Sequence, residues 1–249
     1  MFKKGTLIAV TLCMALLLAS TAFAEKHYVN GIDANYPPFA YIDANGNPAG
    51  FDVDSLNWIA KKMGFTVEHR PMEWSTIVQS VVSKKIDMVY AGMSITEERA
   101  KQVDFSDPYW KVAQVLVAKK GSDLTVEKML KGGMRLGVQS GTSEADYLQN
   151  IAGKDGNNFE LKYYDSAPLA IMDVLNGRVP AAAMDIAPAE DAVAHGRAVE
   201  ILGEFSEPEF FGVAVRKGDA ELLKTINEGL TLLKADPYWE ELKAKYINK

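Results

Sequence analysis

Ile86-Asp-Met-Val-Tyr-Ala-Gly-Met-Ser-Ile-Thr-Glu-Glu-Arg99 is the stretch on which the fold turns. Residues 86–91 form a compact apolar run of strand length, Gly92 breaks it, and Thr96 opens a helical segment expected to reach Val103. A buried strand passing through a glycine turn into a helix is the repeating unit of α/β folds. The same alternation extends to both sides. Upstream, residues 27–33 and 39–42 read as strands, separated by Asn35-Tyr-Pro-Pro38 and followed by the turn Asn45-Gly-Asn-Pro48. Val53, Leu56, Ile59, Ala60 and Met63 recur at helical spacing, with Asp52 as cap and Gly64 as stop. Residues 65–69 read as a strand, and Trp74, Ile77, Val78, Val81 and Val82 line one face of the next helix.

Downstream comes a second round. Strands are expected at 112–118, 135–138, 159–164 and 181–184, and helices at 125–130, 143–151, 168–175 and from Ala187 onward. Residues 211–215 read as a strand returning to the first half, followed by helices at 221–233 and 237–246. The expectation is an α/β protein of two lobes, each a mixed sheet flanked by helices. Two hinge strands near 109–113 and 207–211 join them. The first lobe is discontinuous, 25–110 and 210–249, and the second spans 111–209.

The start of the chain sets the compartment. Lys3 and Lys4 precede an apolar run from Leu7 to Leu18, and Ala22-Phe-Ala24 has the small-x-small form of a signal-peptidase site. The run is shorter than the roughly 20 residues a membrane-spanning helix needs. Residues 1–24 are therefore expected to be a cleaved signal peptide. Lipid attachment at Cys13 is not expected, because Leu12 stands where a small residue is required. Cleavage leaves 225 residues with no cysteine, and 33 acidic side chains against 25 basic ones, net −8. The fold must rely on its core rather than on disulfides, and an acidic surface argues against nucleic acid.

His27, His69 and His195 lie scattered without ligand spacing, and the sequence holds no HExxH, cysteine pair, phosphate loop or GxSxG elbow. No catalytic residue, metal or cofactor is expected.

Ligands of open α/β sheets bind at the carboxyl ends of the strands, and three such ends carry notable groups. Arg99 sits in the first turn of a helix, where the macrodipole disfavours a cation by about 0.3–1 kcal/mol. A guanidinium there makes sense beside an anion that its fork can grip; a surface arginine paired with Glu97 or Glu98 also fits the position. Gly137-Val-Gln-Ser-Gly-Thr-Ser143 runs from strand to helix and offers free N–H groups to a carboxylate, although capping by Thr142 or Ser143 explains the hydroxyls equally well. Asp185 closes an apolar strand, placed either to meet an ammonium group or to cap the next helix. Tyr36 and Trp74 are positioned either to sandwich an extended side chain or to pack in the core.

Together, Tyr36-Pro-Pro-Phe39, Gly50-Phe-Asp-Val-Asp54, the string from Asp87 to Arg99, Asp104-Phe-Ser-Asp-Pro-Tyr109 and Gly212-Val-Ala-Val-Arg-Lys217 resemble the polar amino-acid-binding proteins of the family-3 extracellular solute-binding proteins, which serve ABC importers. The resemblance implies the two-lobe type II periplasmic-binding-protein fold and closure on a ligand. It makes Arg99 the partner of an α-carboxylate, assisted by the backbone N–H groups of Ser94 and Ser143. Asp185, with the Gly92 carbonyl and the Ser94 hydroxyl, would hold the α-ammonium. Asp33, Tyr36, Trp74 and Gln139 would surround the side chain. The implied partners are a free amino acid and the importer's membrane subunits, and the implied state is a periplasmic monomer. Pro180, where relatives often carry an acid, is expected to alter a strand entry without removing the site.

When ionised, Asp33 can only accept hydrogen bonds, which with its aromatic neighbours suits a basic or amide side chain. The rival reading is an exported cyclohexadienyl dehydratase on the same scaffold. That chemistry needs a general acid beside the departing hydroxyl, and the sequence offers no spare acid that can be placed in the pocket. A sensor input module, in the form of a soluble protein feeding a separate receptor, is a third reading.

Overall fold

The computed structural model describes residues 25–247, so the expected signal peptide lies outside the described residues. In chain order come β1 (Lys26–Ile32), β2 (Asn35–Tyr36), β3 (Ala40–Ile42), β4 (Pro48–Ala49), α1 (Phe51–Met63), β5 (Phe65–Pro71), α2 (Ile77–Val82), β6 (Met88–Val89), α3 (Glu97–Ala100) and β7 (Val103–Phe105). The chain crosses through β8 (Trp110–Val112) and continues with β9 (Gln114–Lys119), α4 (Val126–Lys131), β10 (Met134–Gln139), α5 (Ser143–Ile151), β11 (Phe159–Tyr164), α6 (Ala167–Leu175), β12 (Ala181–Asp185), α7 (Ile186–Ala194) and β13 (Val199–Glu204). It returns through β14 (Glu209–Phe211) to β15 (Ala214–Arg216), α8 (Ala220–Ala235) and α9 (Tyr238–Tyr246).

Each lobe is built on a five-stranded sheet, ordered β5-β1-β6-β15-β7 in the first and β11-β10-β12-β9-β13 in the second. Both sheets are mixed. β1 runs parallel to β5 and β6, whereas β15 is antiparallel to β6 and β7. In the second sheet β10 is parallel to β11 and β12, and β9 runs antiparallel between β12 and β13. The two crossing strands, β8 and β14, pair with each other as an antiparallel ribbon, Trp110 opposite Phe211.

That ribbon is rooted in the first lobe. Phe39 meets Trp110 at 5.7 Å and Phe211 at 5.3 Å, and Phe51 meets Trp110 at 5.3 Å and Trp239 at 5.0 Å, centroid to centroid. Tilted and edge-on contacts of this kind add about 0.5–1.5 kcal/mol each beyond burial. They anchor one end of the ribbon in the first lobe.

Several local expectations are corrected. The helix begun at Thr96 stops at Ala100, because Val103 is drawn into β7 opposite Arg216. The strand read at 86–91 shrinks to Met88–Val89. Asp52 does not cap α1: Gly50 holds that position at φ 130°, and Asp52 turns inward, fully buried. The helix read from Trp74 begins as a 3-10 turn over Trp74–Thr76, and Val82 points outward. β13 had no clear alternation to reveal it. Glu200, Gly203 and Glu204 interrupt its pattern, and its existence depends on pairing with β9 across a bulge between Ile201 and Gly203. Among the described residues no helix is long and apolar enough to cross a membrane.

Candidate functional site

Four parallel strands end at the gap between the lobes. β1 ends at Ile32 and delivers Asp33; β6 leads through Ala91 to Gly92; β10 ends on Gln139; β12 ends on Asp185. This is where open α/β sheets place their ligands. Between the lobes lies one cavity of about 30 Å³. Asp33, Tyr36, Trp74, Gly92, Ser94 and Arg99 line it from the first lobe, and Gln139, Ser143 and Asp185 from the second. All nine residues named from the sequence thus meet at one place.

Local backbone features explain how. Gly92 adopts φ +65°, and a Cβ there would stand 2.4 Å from the Tyr36 ring, so only glycine lets the aromatic lie against the strand end. Asp52 holds this turn from below: its Oδ2 accepts from the Gly92 N–H at 2.6 Å and from the Tyr109 hydroxyl at 2.7 Å. Thr142, not Ser143, caps α5, accepting from the Ala145 N–H at 3.2 Å. Ser143 is thereby released into the cavity wall. Its hydroxyl accepts from Gln114 Nε2 at 3.1 Å and donates to Glu209 Oε2 at 2.7 Å. Asp185 occupies the position before α7 without a side-chain cap bond.

Arg99 is 7% exposed. Its Nη1 donates to the Ser94 carbonyl at 2.9 Å and its Nη2 to the Gly141 carbonyl at 3.0 Å, with the Trp74 ring 5.6 Å away. The surface pairing with Glu97 or Glu98 does not form. Burial draws the guanidinium's proton affinity down, and Glu144 and Glu209 oppose that shift. Its two carbonyl partners are neutral, so its charge still calls for an anion.

Three contacts tie the lobes across the cavity. Gln139 Nε2 donates to Asp33 Oδ2 at 2.7 Å, the Tyr36 hydroxyl donates to Asp185 Oδ2, and Arg99 reaches Gly141. A ligand entering between the lobes must exchange these bonds for its own. Two buried atoms on the wall are unmatched: Asp185 Oδ1, an acceptor, and Trp74 Nε1, a donor. Such atoms cost about 1–3 kcal/mol each until something fills their need.

One cavity-lining group was missed. Glu144, 4% exposed, lines the same wall beside Ser143 and Asp185. The sequence does carry a signal: Glu144 follows directly on the helix start read as an anion seat. An acid in a first helical turn is so common as a dipole partner that it draws no notice. The expectation that no spare acid reaches the pocket is therefore corrected.

The sequence matches the model of the bacterial extracellular solute-binding proteins, family 3, over residues 28–249. It is 32% identical over 248 residues to the ABC transporter arginine-binding protein 1 of Escherichia coli (strain K12), covering 95% of this chain and 98% of that one. A solved ancestral arginine-binding protein bound to arginine superposes with a TM-score of 0.83 at 40% identity, covering 90% of this chain and 99% of that one. An ancestral amino-acid-binding protein described as a precursor of cyclohexadienyl dehydratase superposes with a TM-score of 0.80 at 33% identity, covering 88% and 95%.

Proposed function

The chain belongs to the bacterial extracellular solute-binding proteins, family 3, and from that premise we propose that it captures a free amino acid with a basic or amide side chain and delivers it to an ABC importer. The observation that carries this reading is the origin of the two opposite charges on the cavity. Arg99 comes from the first lobe and Asp185 from the second, both buried, and each lacks an oppositely charged partner within salt-bridge distance among the described residues. A zwitterion leaving water needs an opposing, hydrogen-bonded group at each end. The α-carboxylate fits Arg99 with the Ser94 and Ser143 N–H groups. The α-ammonium fits Asp185 with the Gly92 carbonyl and the Ser94 hydroxyl.

The side chain then extends toward Asp33, Tyr36, Trp74 and Gln139. Asp33 is 5% exposed and accepts from the Asn35 N–H at 3.0 Å as well as from Gln139. A guanidinium, ammonium or amide N–H is the matching donor there. Because the ligand touches both lobes, it stabilises the closed form by its differential affinity for that form, which is the shape the importer's membrane subunits would read. The protein would act as a monomer in the periplasm after export.

A thermal-shift panel of the twenty amino acids plus ornithine tests the reading. Arginine, lysine, ornithine, histidine or glutamine is expected to give the largest rise in melting temperature. A preference for glutamate would overturn the charge argument. Glu144 does supply a buried acid, the one element the dehydratase reading lacked. Relatives such as the arginine-binding protein of Escherichia coli are nonetheless named for binding rather than catalysis. Phenylpyruvate release from prephenate is the discriminating assay, and none is expected.

A further inference from the structure

The cavity holds more negative charge than a zwitterion clamp needs. Asp185 and Glu144, on the end of β12 and the first turn of α5, line one wall and are both more than nine-tenths buried. Asp185 Oδ2 is taken by the Tyr36 hydroxyl, whereas Oδ1 has no partner. Glu144 has the Ser143 hydroxyl at 3.5 Å, already committed at 2.7 Å to Glu209, while its own backbone N–H and the Thr142 hydroxyl give its ionised form partial support. Two buried carboxyls on one wall, with no cationic side chain bound to either among the described residues, disfavour double ionisation, which favours a proton on one of them.

We propose that Glu144 is the second carboxyl of the ammonium seat, sharing one proton with Asp185, and that a ligand's α-ammonium binds by taking that proton's place. The inference rests on the amino-acid-binding reading above. The proton moves to bulk water, and the ammonium's N–H groups then donate to both carboxylates. The ammonium's positive charge replaces the proton's, so the two carboxyls and the seated ammonium together carry the net charge the singly protonated pair had, and a solute that brings no cation is disfavoured.

The groups facing the pair are consistent with this. Arg99 on α3 is the one cation among them; Glu209 on β14 adds negative charge, and Asp33 is engaged by Gln139. Burial first, and then Glu144's charge, lifts the Asp185 carboxyl well above the usual carboxylate range. Burial is also the largest influence on Glu144 and raises it. Tyr36 works the other way, stabilising the ionised Asp185 through its hydroxyl.

The experiment is titration calorimetry of the full mature chain with L-arginine and L-glutamine at pH 7, in phosphate and in Tris. The difference in apparent enthalpy between the two buffers counts protons. About one proton released per ligand is expected, with affinity falling up to about tenfold per pH unit on acidification. Glu144→Asp should keep the release, and Glu144→Gln should at least halve it and flatten the pH profile. Binding without proton release in the parent protein would overturn the inference and leave the binding reading intact. Equal release from the parent and from Glu144→Gln would overturn it too, since burial of Asp185 alone would then hold the proton. If neither amino acid binds, the binding reading falls, and this inference with it.

Discussion

At Arg99 and Asp185 the protein has buried a guanidinium and a carboxyl without letting them meet. Each is left with neutral partners: carbonyls for the guanidinium, a phenol for the carboxylate. Removing one of two buried, hydrogen-bonded charges across an interface costs about 2–5 kcal/mol, a loss of roughly 30-fold to several thousand-fold in affinity. Arg99→Ala and Asp185→Asn should each weaken amino-acid binding by that much in calorimetry while the chain still melts cooperatively. Unchanged affinity in either would refute the clamp. Asp52 makes a different prediction. Burial pushes its carboxyl up to about 8, against hydrogen bonds from Tyr109 and Gly92 that pull the other way. A raised folded-state value means stability is fully present below the ordinary carboxylate value near 4 and drains away as pH rises through about 8. Asp52→Asn should flatten that decline, measured as urea midpoints between pH 4 and 9; parallel curves for the two proteins would show that Asp52 does not titrate there.

Elements matter here chiefly for where they stop. β10 ends on Gln139, whose carbonyl accepts from the Thr142 hydroxyl at 2.9 Å, while Thr142 Oγ1 accepts from the Ala145 N–H. One threonine thus ties the strand end to the helix start and sets the orientation of Ser143 and Glu144. Thr142→Ala removes a helix cap, worth about 1 kcal/mol. Its denaturation midpoint should fall accordingly, and its amino-acid affinity should fall with it because the cavity wall loosens. A stability loss with affinity untouched would show that the cap and the wall are independent. The first lobe uses a comparable device: the Ile95 N–H donates to the Phe210 carbonyl at 2.8 Å and the Gly212 N–H to the Met93 carbonyl at 3.0 Å. The returning strand therefore holds the loop that presents Ser94.

Over the whole molecule, the proposed function requires a change of distance between the two sheets. Gly141 shows how tightly they approach. It lies in the second lobe at φ +76°, its carbonyl receives Arg99 from the first, and a Cβ on it would stand 2.8 Å from the Ser75 Cα. Backbone cannot yield as a side-chain tip can. Gly141→Ala should therefore obstruct closure while leaving every proposed ligand contact chemically intact. Small-angle scattering should show the parent compacting when saturated with arginine, and the variant remaining more extended at the same ratio, with affinity lower by about tenfold or more. Equal compaction would mean the lobes close with more room than this contact allows.

Strand-helix alternation, the two crossing strands and the charged cavity residues Asp33, Arg99 and Asp185 could all be read from the linear chain. These follow from local rules: apolar period, glycine and proline punctuation, and polar groups at strand ends. α5 and β11 agree with the structure to the residue because cap, period and length pointed the same way. β13 and the early stop of α3 could not be read, since each is decided by a partner strand distant in sequence. Asp52 is the sharpest case. An acid before an apolar helical run reads as a cap, yet here the buried Gly92 N–H and Tyr109 hydroxyl draw it inward. Glu144 is the complementary case, an ordinary first-turn acid until the second lobe folds and sets it against Asp185. Sequence determines which groups a segment can offer; only the packed structure decides which are stripped of water and brought face to face, because burial and proximity are properties of neighbours that the chain order does not contain.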